Sequence, residues 1–271
     1  MPQISFVILT WNSENTIQES LASIGAKCRD ESISHEIFVV DNGSNDNTIE
    51  LIEALKKEMP IDLTCLPDNQ GTTKPRNMAL RRTSGDIVCV MDSDAVLKEG
   101  ALSEIFAMLE ADESIGIIAP QLVFPDGSKQ VSVRKFPSFF GKFGKIPHII
   151  LKLKYQDRDV YQDFPFSVPT DVDYAIAACW FFKRSLLETA GYLDEKIFYA
   201  PEDIDFGLRV HKIGKRVVYF PDFKVIHHVQ RLTHQKAFGK IAVSHFLGLV
   251  YYFIKHRYLI KPLFQKDLNA K

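Results

Sequence analysis

Two carboxylates spaced by one residue follow a buried-strand pattern in the first half of the chain. The apolar run at residues 87–91 ends in Asp92-Ser93-Asp94. A short, near-continuous apolar run is typical of a strand covered on both faces of a parallel sheet, and ligands of such sheets bind outside the carboxyl ends of the strands. Two hard oxygen ligands placed there predict a site for Mg²⁺ or Mn²⁺ bridging to substrate phosphates. A plain surface turn is the alternative, because Asp and Ser are common turn residues.

A second acidic group and two adjacent histidines occur much later in the chain. Glu202, Asp203 and Asp205 follow a proline at the start of a predicted helix. Proline in the first turn and carboxylates near the positive end of the helix dipole both favour a helix N-terminus, so capping is a competing interpretation of these acids. His227 and His228 end a short predicted strand, where a histidine satisfied by one hydrogen bond is the simpler interpretation.

Alternating strand and helix patterns must position these groups. Apolar strand patterns at residues 4–9, 37–40, 63–66 and 87–91 alternate with helical patterns, which predicts a parallel sheet with helices on both faces. Right-handed crossovers bring every loop after a strand to one edge of the sheet. The polar residues of those loops are therefore expected to converge; they are Asn12, Asp41, Asn42, Asp46, Asn69, Asp92 and Asp94.

The second half of the chain is less regular. A β excursion is predicted over residues 115–133, and one continuous strand over residues 172–182. Two further short strands are predicted at 216–220 and 225–228. Between them, the aromatic segment 134–166 is either a loop over the site or an interaction surface, since long irregular loops are often functional.

Composition limits the possible classes of protein. At 271 residues with 46% hydrophobic content, the chain is expected to form either one large α/β domain or a domain with a sizeable extension. A net charge of -1 gives no reason to expect nucleic-acid binding. Four scattered cysteines without a Cys-x-x-Cys pair favour reduced thiols in a cytoplasmic protein. Neither a signal-peptide pattern nor an apolar run of about 18 residues is found.

The C-terminal segment differs from the rest in charge. Residues 231–271 carry eight basic residues against one acid, and apolar residues recur at helical spacing over residues 238–256. A basic, aromatic helix of this kind can lie in a membrane interface beside anionic lipid, with residues 234–262 making the contact. The alternative is a helix packed on the rest of the chain or on a second subunit as a homodimer.

Six motifs in a fixed order together resemble one known family. The chain resembles an inverting glycosyltransferase of family 2 with the GT-A fold, and within it the rhamnosyltransferase-like branch that builds bacterial surface polysaccharides. The motifs are Ile8-Leu9-Thr10-Trp11-Asn12, Val39-Val40-Asp41-Asn42-Gly43-Ser44, Asp92-Ser93-Asp94, Tyr192-Leu193-Asp194-Glu195, Glu202-Asp203-Ile204-Asp205 and the histidine after Val225-Ile226.

The resemblance implies a fold, domain boundaries and ligands. The fold would be α/β, a Rossmann-like, mostly parallel sheet flanked by helices with a C-terminal helical extension. A GT-A domain would cover residues 1–230, with a nucleotide-binding half at about 1–115 and an acceptor half at about 116–230. Residues 231–271 would form the extension. The donor would be dTDP-rhamnose or a UDP-sugar, and the acceptor a hydroxyl of a glycan or lipid-linked molecule. The protein would be cytoplasmic, peripheral on the inner face of the membrane.

The resemblance also implies roles for single residues. The donor nucleotide would contact Thr10, Asn12, Asp41, Asn69, Arg76, Asn77, Asp92 and Ser93. Mg²⁺ or Mn²⁺ would be held by Asp92, Asp94 and His228, with His227 as the alternative to His228. Asp203 would be the catalytic base, with Glu202 as the other candidate. Trp180 and Asp205 would face the acceptor.

The expected chemistry explains why these groups are needed. A divalent ion neutralises the leaving diphosphate, and a carboxylate takes the proton of the attacking hydroxyl. Three departures from the family pattern leave the donor and the rhamnosyl branch open. Ala177-Ala178-Cys179 replaces Gly-Ala-Cys, Gln70-Gly71-Thr72-Thr73 follows Asn69, and Gln230-Arg231 stands where Gly and Ser are expected.

Two other functions compete with this interpretation. A sugar-phosphate nucleotidyltransferase would share the fold, but its Gly-rich, basic N-terminal loop is missing after Leu9. A non-catalytic sugar-nucleotide-binding protein would share the nucleotide site, and motifs alone do not prove turnover.

Overall fold

A computed structural model describes residues 1–144, 159–228 and 240–262. Its strands are β1 (Ile4–Thr10), β2 (His35–Asp41), β3 (Ile61–Cys65), β4 (Ile87–Asp92), β5 (Ala95–Glu99), β6 (Ile115–Val123), β7 (Val133–Arg134), β8 (Thr170–Val172), β9 (Tyr174–Ala175), β10 (Cys179–Lys183) and β11 (Arg216–His227). Its helices are α1 (Ile17–Asp30), α2 (Thr48–Leu55), α3 (Thr73–Leu80), α4 (Leu102–Ala111), α5 (Phe139–Phe143), α6 (Leu186–Thr189), α7 (Glu202–Lys212) and α8 (Lys240–His256).

A nine-stranded sheet organises the described chain. Its order is β3-β2-β1-β4-β10-β6-β11-β5, with β8 paired to β11. Strands β3, β2, β1 and β4 run parallel, as the alternating pattern of the first half predicts. Strand β10 is antiparallel to both neighbours, β4 and β6. The predicted α/β architecture is confirmed, and the sheet is mixed on its second side.

The second half differs from the predicted strands in three places. The strand predicted at 172–182 is divided into β8, β9 and β10, and the two strands predicted between 216 and 228 form the single strand β11. Strand β5 was not predicted. The apolar part of β5 is three residues long, which is too short for a periodicity signal. The strand forms because it pairs antiparallel with the end of β11.

Helices cover both faces of the sheet because strand side chains alternate. Phe6 and Ile8 of β1 point into the apolar cluster that includes Ile17 and Leu21 of α1. Val7 points to the opposite face, into a second cluster that includes Phe206 of α7. Burial on both faces explains the near-continuous apolar run of each central strand.

A third apolar cluster attaches the C-terminal helix. Tyr252 and Phe253 of α8 pack with Ile204 and Leu208 of α7, and Tyr258 joins them. The opposite face of α8 remains exposed at Val243, Phe246, Leu247 and Ile254. Within the described ranges, none of the helices combines the length and apolar character needed to cross a membrane.

Glu36 ties β1 and β2 to the turn before β4. Its Oε1 accepts hydrogen bonds from Ser5 Oγ at 2.5 Å, from Ser84 N at 2.7 Å and from Gly85 N at 3.3 Å. Burial alone would raise the pKa of Glu36, but these hydrogen bonds lower it below its ordinary value. The ionised carboxylate therefore stabilises the fold above the unfolded-state pKa of about 4.3, and this contribution is lost as the pH falls through the folded value.

Glu36→Gln is expected to lower the free energy of unfolding by about 1.5–3 kcal/mol at pH 7, the size of hydrogen bonds to a charged group. The deficit relative to wild type should shrink as the pH falls below the unfolded-state pKa of about 4.3, because the unfolded chain then takes up a proton that the folded carboxylate binds only at lower pH. Urea unfolding at several pH values measures this, with the exposed Glu58→Gln as the control. A deficit independent of pH would contradict the assigned charge state.

Candidate active site

The carboxyl ends of three parallel strands bring predicted polar residues to one edge of the sheet. Thr10 pairs with Asp41 across β1 and β2, and Leu9 pairs with Asp92 across β1 and β4. Asp41 is buried and accepts hydrogen bonds from Gly43 N at 3.1 Å and from Ser44 N at 2.9 Å. The buried hydroxyl of Thr10 has no hydrogen-bond partner among the described residues. The expected convergence of the loops is therefore observed.

Side-chain amides lock the loops of this edge together. Asn12 has φ 51°, and its Oδ1 accepts from Asn45 N at 2.8 Å. The buried Asn42 donates to Asn69 Oδ1 at 3.2 Å and to the carbonyl oxygen of Gly71 at 2.9 Å. Asn42 was expected at the edge but was not assigned to the site, and its role in joining two loops depends on contacts 27–29 residues away.

Asp92, Asp94 and His227 form a compact group at the same edge. One ligand atom from each lies within 4.8 Å of the others. His227 Nε2 is 3.5 Å from Asp94 Oδ1 and 3.9 Å from Asp92 Oδ2. Ser93, between the two aspartates, shares a 2.8 Å hydrogen bond with Ser13 Oγ, which joins this turn to the loop after β1.

The histidine of this group corrects the prediction of His228. His228 Nε2 lies 3.5 Å from Glu19 Oε2 of α1 and not beside the two aspartates. Adjacent side chains of an extended chain point in opposite directions, so only one of the two histidines can face the acids. The structure selects His227, the alternative that the sequence left open.

Gln130 orients His227. Its Nε2 donates to the backbone oxygen of His227 at 2.6 Å, which places its Oε1 against His227 Nδ1 at 3.0 Å. An amide oxygen only accepts, so Nδ1 carries a proton, and Nε2 is the nitrogen that faces the aspartates. Burial alone would lower the pKa of His227, but the hydrogen bond and charge of Asp94, with the charge of Asp92, raise it.

This donor set fits a divalent cation. Three acceptor atoms from Asp92, Asp94 and His227 face one another and repel unless a proton or a cation lies between them. Two carboxylates and an imidazole whose other nitrogen is held by Gln130 are typical of a metal site with an oriented histidine. Sequence reasoning missed Gln130, which is separated from His227 by 97 residues in the chain.

Arg76 connects Asp92 of this group to the acids of α7. Its guanidinium donates to Asp92 and, at 3.2 Å, to Glu202 Oε1. The side chains of Arg76 and Glu202 are 4% and 10% exposed, so their contact is screened little by water, whereas Asp92 is one-third exposed. Arg76 lies on α3, whose first residues donate to the carbonyl oxygens of Ile197 and Phe198 before α7. The two acidic motifs, separated by more than 100 residues in the chain, thus share one arginine.

The carboxyl groups of α7 have increased basicity. Burial, and then the negative charge of Asp203, raise the pKa of Glu202 to about 8, against the opposing charge of Arg76. Burial also raises the pKa of Asp203, although Ile204 N donates to its Oδ1 at 2.8 Å. A carboxylate whose pKa is raised toward neutrality is a better general base.

Three predicted contacts are corrected because the side chains are enclosed. Trp180 is 1% exposed, stacks on Phe206 with 5.7 Å between ring centroids and donates to the carbonyl oxygen of Ala175, so it is a core residue and not an acceptor contact. Asn77 donates to Leu193 O at 2.8 Å and to Glu195 Oε1 at 2.9 Å, and it is fully buried. Asp205 is also fully buried, among basic side chains, and cannot face an acceptor.

A family model places this chain among known proteins. The model described as "Glycosyl transferase family 2" matches residues 5–191, more than half of the chain. The chain belongs to glycosyl transferase family 2. The match covers the loops of the sheet edge and the Asp92-Ser93-Asp94 turn, and it ends before Glu202 and His227.

Individual family 2 relatives are distant in sequence. The chain is 24% identical over 239 residues to the uncharacterized glycosyltransferase YfnE of Bacillus subtilis, a match covering 78% of this chain and 60% of the relative. It is 24% identical over 220 residues to the poly-beta-1,6-N-acetyl-D-glucosamine synthase of Staphylococcus aureus, covering 80% and 48%. The chain thus spans about half to three fifths of the length of these relatives.

Solved structures confirm the GT-A fold. The mannosyltransferase PcManGT from Pyrobaculum calidifontis, in complex with GDP-Man and Mn²⁺, superposes with a TM-score of 0.62 at 20% identity, covering 99% of this chain and 68% of that chain. TarS 1–349 of S. aureus, in complex with UDP-GlcNAc, gives a TM-score of 0.60 at 20% identity, covering 86% and 61%. At these identities the likeness shows the fold alone.

Proposed function

We propose that this chain is an inverting glycosyltransferase that moves a sugar from a nucleoside-diphosphate sugar to an acceptor hydroxyl. The observation that carries the proposal is the bridge made by Arg76 between Asp92, of the candidate metal group, and Glu202, beside the candidate base. The bridge would join the residues proposed to stabilise the leaving diphosphate to those proposed to activate the acceptor hydroxyl. Membership of family 2 supports the same reaction.

The donor nucleotide is proposed to lie along the sheet edge. Thr10 and Asp41 are the last residues of β1 and β2, Asn12 and Asn69 lie in the loops after β1 and β3, and Arg76 contacts Asp92 at the end of β4. Residues 1–115 would then hold the nucleotide, and residues 116–230 would supply most of the acceptor side. TarS and PcManGT bind UDP-GlcNAc and GDP-Man respectively, so a UDP-sugar is a plain candidate donor. A dTDP-rhamnose donor remains the hypothesis of the rhamnosyltransferase-like branch.

Asp92, Asp94 and His227 are proposed to hold Mg²⁺ or Mn²⁺. A divalent ion supplies positive charge to the diphosphate leaving group when it is bound. The chain itself orients two of these ligands: Gln130 fixes the imidazole ring of His227, and Arg76 holds Asp92.

Asp203 is proposed to remove the proton from the attacking hydroxyl. One base acting opposite the leaving group gives direct displacement with inversion at the anomeric carbon, so a second carboxylate nucleophile is not needed. Glu202 remains the other candidate base. It differs from Asp203 in accepting a hydrogen bond from Arg76.

The reaction products test the proposed function directly. Incubation with nucleotide-sugars, Mn²⁺ and a panel of glycan and lipid-linked acceptors should release nucleoside diphosphate and give a product of inverted anomeric configuration by NMR. Release of pyrophosphate instead would indicate a nucleotidyltransferase. Binding of nucleotide-sugar without any release would indicate a non-catalytic binding protein.

The exposed face of α8 is proposed to contact an anionic membrane from the cytoplasmic side. Val243, Leu247 and Ile254 recur at helical spacing on this face, and the exposed Arg257 and Lys261 follow it. Apolar residues beside cations are typical of helices that lie in a lipid interface. Residues 234–239 of the predicted contact segment lie outside the described residues.

Serine substitution of Val243, Leu247 and Ile254 together is expected to abolish flotation of the protein with phosphatidylglycerol vesicles. Ile213→Ser is the matched control, because Ile213 is also exposed but lies after α7. Flotation that is unchanged in the triple variant would contradict the membrane contact. A shift from dimer to monomer in sedimentation would assign the face to a homodimer interface instead.

A further inference from the structure

We infer that α8 is part of the catalytic unit, and that Lys255 and Asp205 are positioning residues that hold the segment carrying Glu202 and Asp203. The inference rests on the proposed function of these two carboxyl groups. Asp205, Arg209, Lys255 and His256 are together called the Asp205 clamp. Sequence reasoning placed Asp205 at the acceptor and treated α8 as an extension, so neither role was expected.

The clamp joins α8 to α7 at a fully buried carboxylate. Asp205 accepts from Arg209 Nε at 2.8 Å, within α7. Its other oxygen accepts from Lys255 Nζ at 2.5 Å and His256 Nε2 at 2.8 Å, both from α8. Charge-assisted hydrogen bonds enclosed in this way are short and directional. They fix the rotation and height of α7 relative to α8.

The protonation state of His256 follows from its second partner. Lys212 Nζ lies 2.9 Å from His256 Nδ1. An ammonium group only donates, so Nδ1 accepts and the proton of a neutral imidazole is on Nε2, where it donates to Asp205. Burial lowers the pKa of His256, which agrees with a neutral ring.

Lys255 also holds the other side of the catalytic segment. Its Nζ lies 2.7 Å from Asp194 Oδ2, which also accepts from Tyr251 OH at 2.8 Å. One ammonium group of α8 therefore connects Asp194 and Asp205. The chain between these two residues contains Glu202 and Asp203, so a displacement of Lys255 acts on both ends of the catalytic segment.

Gly248 brings the backbone of α8 against the same segment. A Cβ added at Gly248 would lie 2.1 Å from the carbonyl oxygen of Ala200, two residues before Glu202. Glycine is the residue that permits such a close approach of two backbones. The helix thus contacts the catalytic segment at three points: at Asp194, at Ala200 and at Asp205.

The position of Asp203 gives the contacts a catalytic consequence. Asp205 is enclosed, while Asp203, two residues earlier in the same helical turn, is partly exposed. A shift of α7 by about 1 Å would move Asp203 away from the attacking hydroxyl, and misplacement of this size can cost about 10²-fold in rate. Donor binding at the sheet edge is expected to change less than kcat, because the clamp is connected to the donor loops indirectly, through Ile197 and Phe198, whose carbonyl oxygens accept from Thr73 and Thr72.

Lys255→Met tests the clamp, since it removes the charged donor and keeps the length of the side chain. We expect kcat to fall by about 10–100-fold, with the Kd for UDP and Mn²⁺ within about twofold of wild type. Lys255→Arg should restore part of kcat because it can still donate to both carboxylates. Lys57→Met, at an exposed lysine that follows α2 and lies outside both the clamp and the proposed membrane contact, is the control. Unchanged kcat in Lys255→Met, or an equal loss of UDP binding, would overturn the inference.

Gly248→Ala tests the same inference without touching a charge. The added methyl group should displace Ala200 and lower kcat in the same way as Lys255→Met while UDP binding is retained, and full activity would overturn the inference. Hydrogen exchange of residues 195–205 should be faster in both variants than in wild type, and unchanged exchange in both would also overturn it. Hydrogen exchange does not depend on enzymatic activity. If the wild-type protein transfers no sugar, the proposed function is rejected, but the exchange rates still test whether α8 holds the catalytic segment.

Discussion

Asp203→Asn is expected to lower kcat by about 10²–10⁴-fold, the usual contribution of a general base. The amide keeps the shape of the side chain and cannot accept the proton of the attacking hydroxyl. Donor binding should stay within about twofold of wild type, because Asp203 lies on α7 and not in the loops that hold the nucleotide. Steady-state kinetics and calorimetric titration with UDP and Mn²⁺ measure the two effects separately. Asp222→Asn, at an exposed carboxylate of β11, is the control for the loss of a charge.

Glu202→Gln distinguishes the two candidate bases. Because burial and the charge of Asp203 raise the pKa of Glu202 to about 8, its carboxyl group is mostly protonated at pH 7. Glutamine resembles the protonated form and can still accept from Arg76, so the loss of kcat at pH 7 should be small. A loss as large as that of Asp203→Asn, or full turnover by Asp203→Asn, would transfer the role of base to Glu202.

Asp94→Ala is expected to abolish the metal-dependent part of donor binding. Removal of a partner that only supports a metal ligand typically costs about 10–100-fold in metal affinity, so the loss of a direct carboxylate ligand should cost at least that much. Titration of UDP with and without Mn²⁺ shows the effect, since the wild-type protein should gain affinity from the metal and the variant should not. Equal activity of the wild-type enzyme after metal chelation would contradict the proposed ion site.

The two adjacent histidines provide a matched pair for the same site. His227→Gln should weaken Mn²⁺-dependent UDP binding, because His227 Nε2 faces Asp92 and Asp94. His228→Gln should leave it unchanged, because His228 lies beside Glu19 of α1. The reverse result would make His228 the metal ligand, as the family resemblance implies, and would contradict the observed orientation of the strand end.

The local pattern of apolar and polar residues is sufficient to predict the strands of the first half of the protein and the edge at which they end. The apolar runs that end at Thr10, Asp41 and Asp92 predict strands, and the βα alternation predicts that their carboxyl ends meet at one edge. Both signals are carried by residues close together in the chain, so no long-range contact is needed to recognise them. The start of α7 at Glu202 follows from local signals as well, namely the preceding proline and the acids of the first turn.

Tertiary structure decided which of the later residues belong to the site. The side of β11 that His227 faces depends on an irregular register between Phe220 and Lys224, which arises from pairing with β6. Asp205 is enclosed because α8 returns across α7 some 50 residues later, and Trp180 is buried because β10 lies between β4 and β6. Side-chain type and spacing carry no record of such packing, because the partners that bury or orient these residues are distant in the chain.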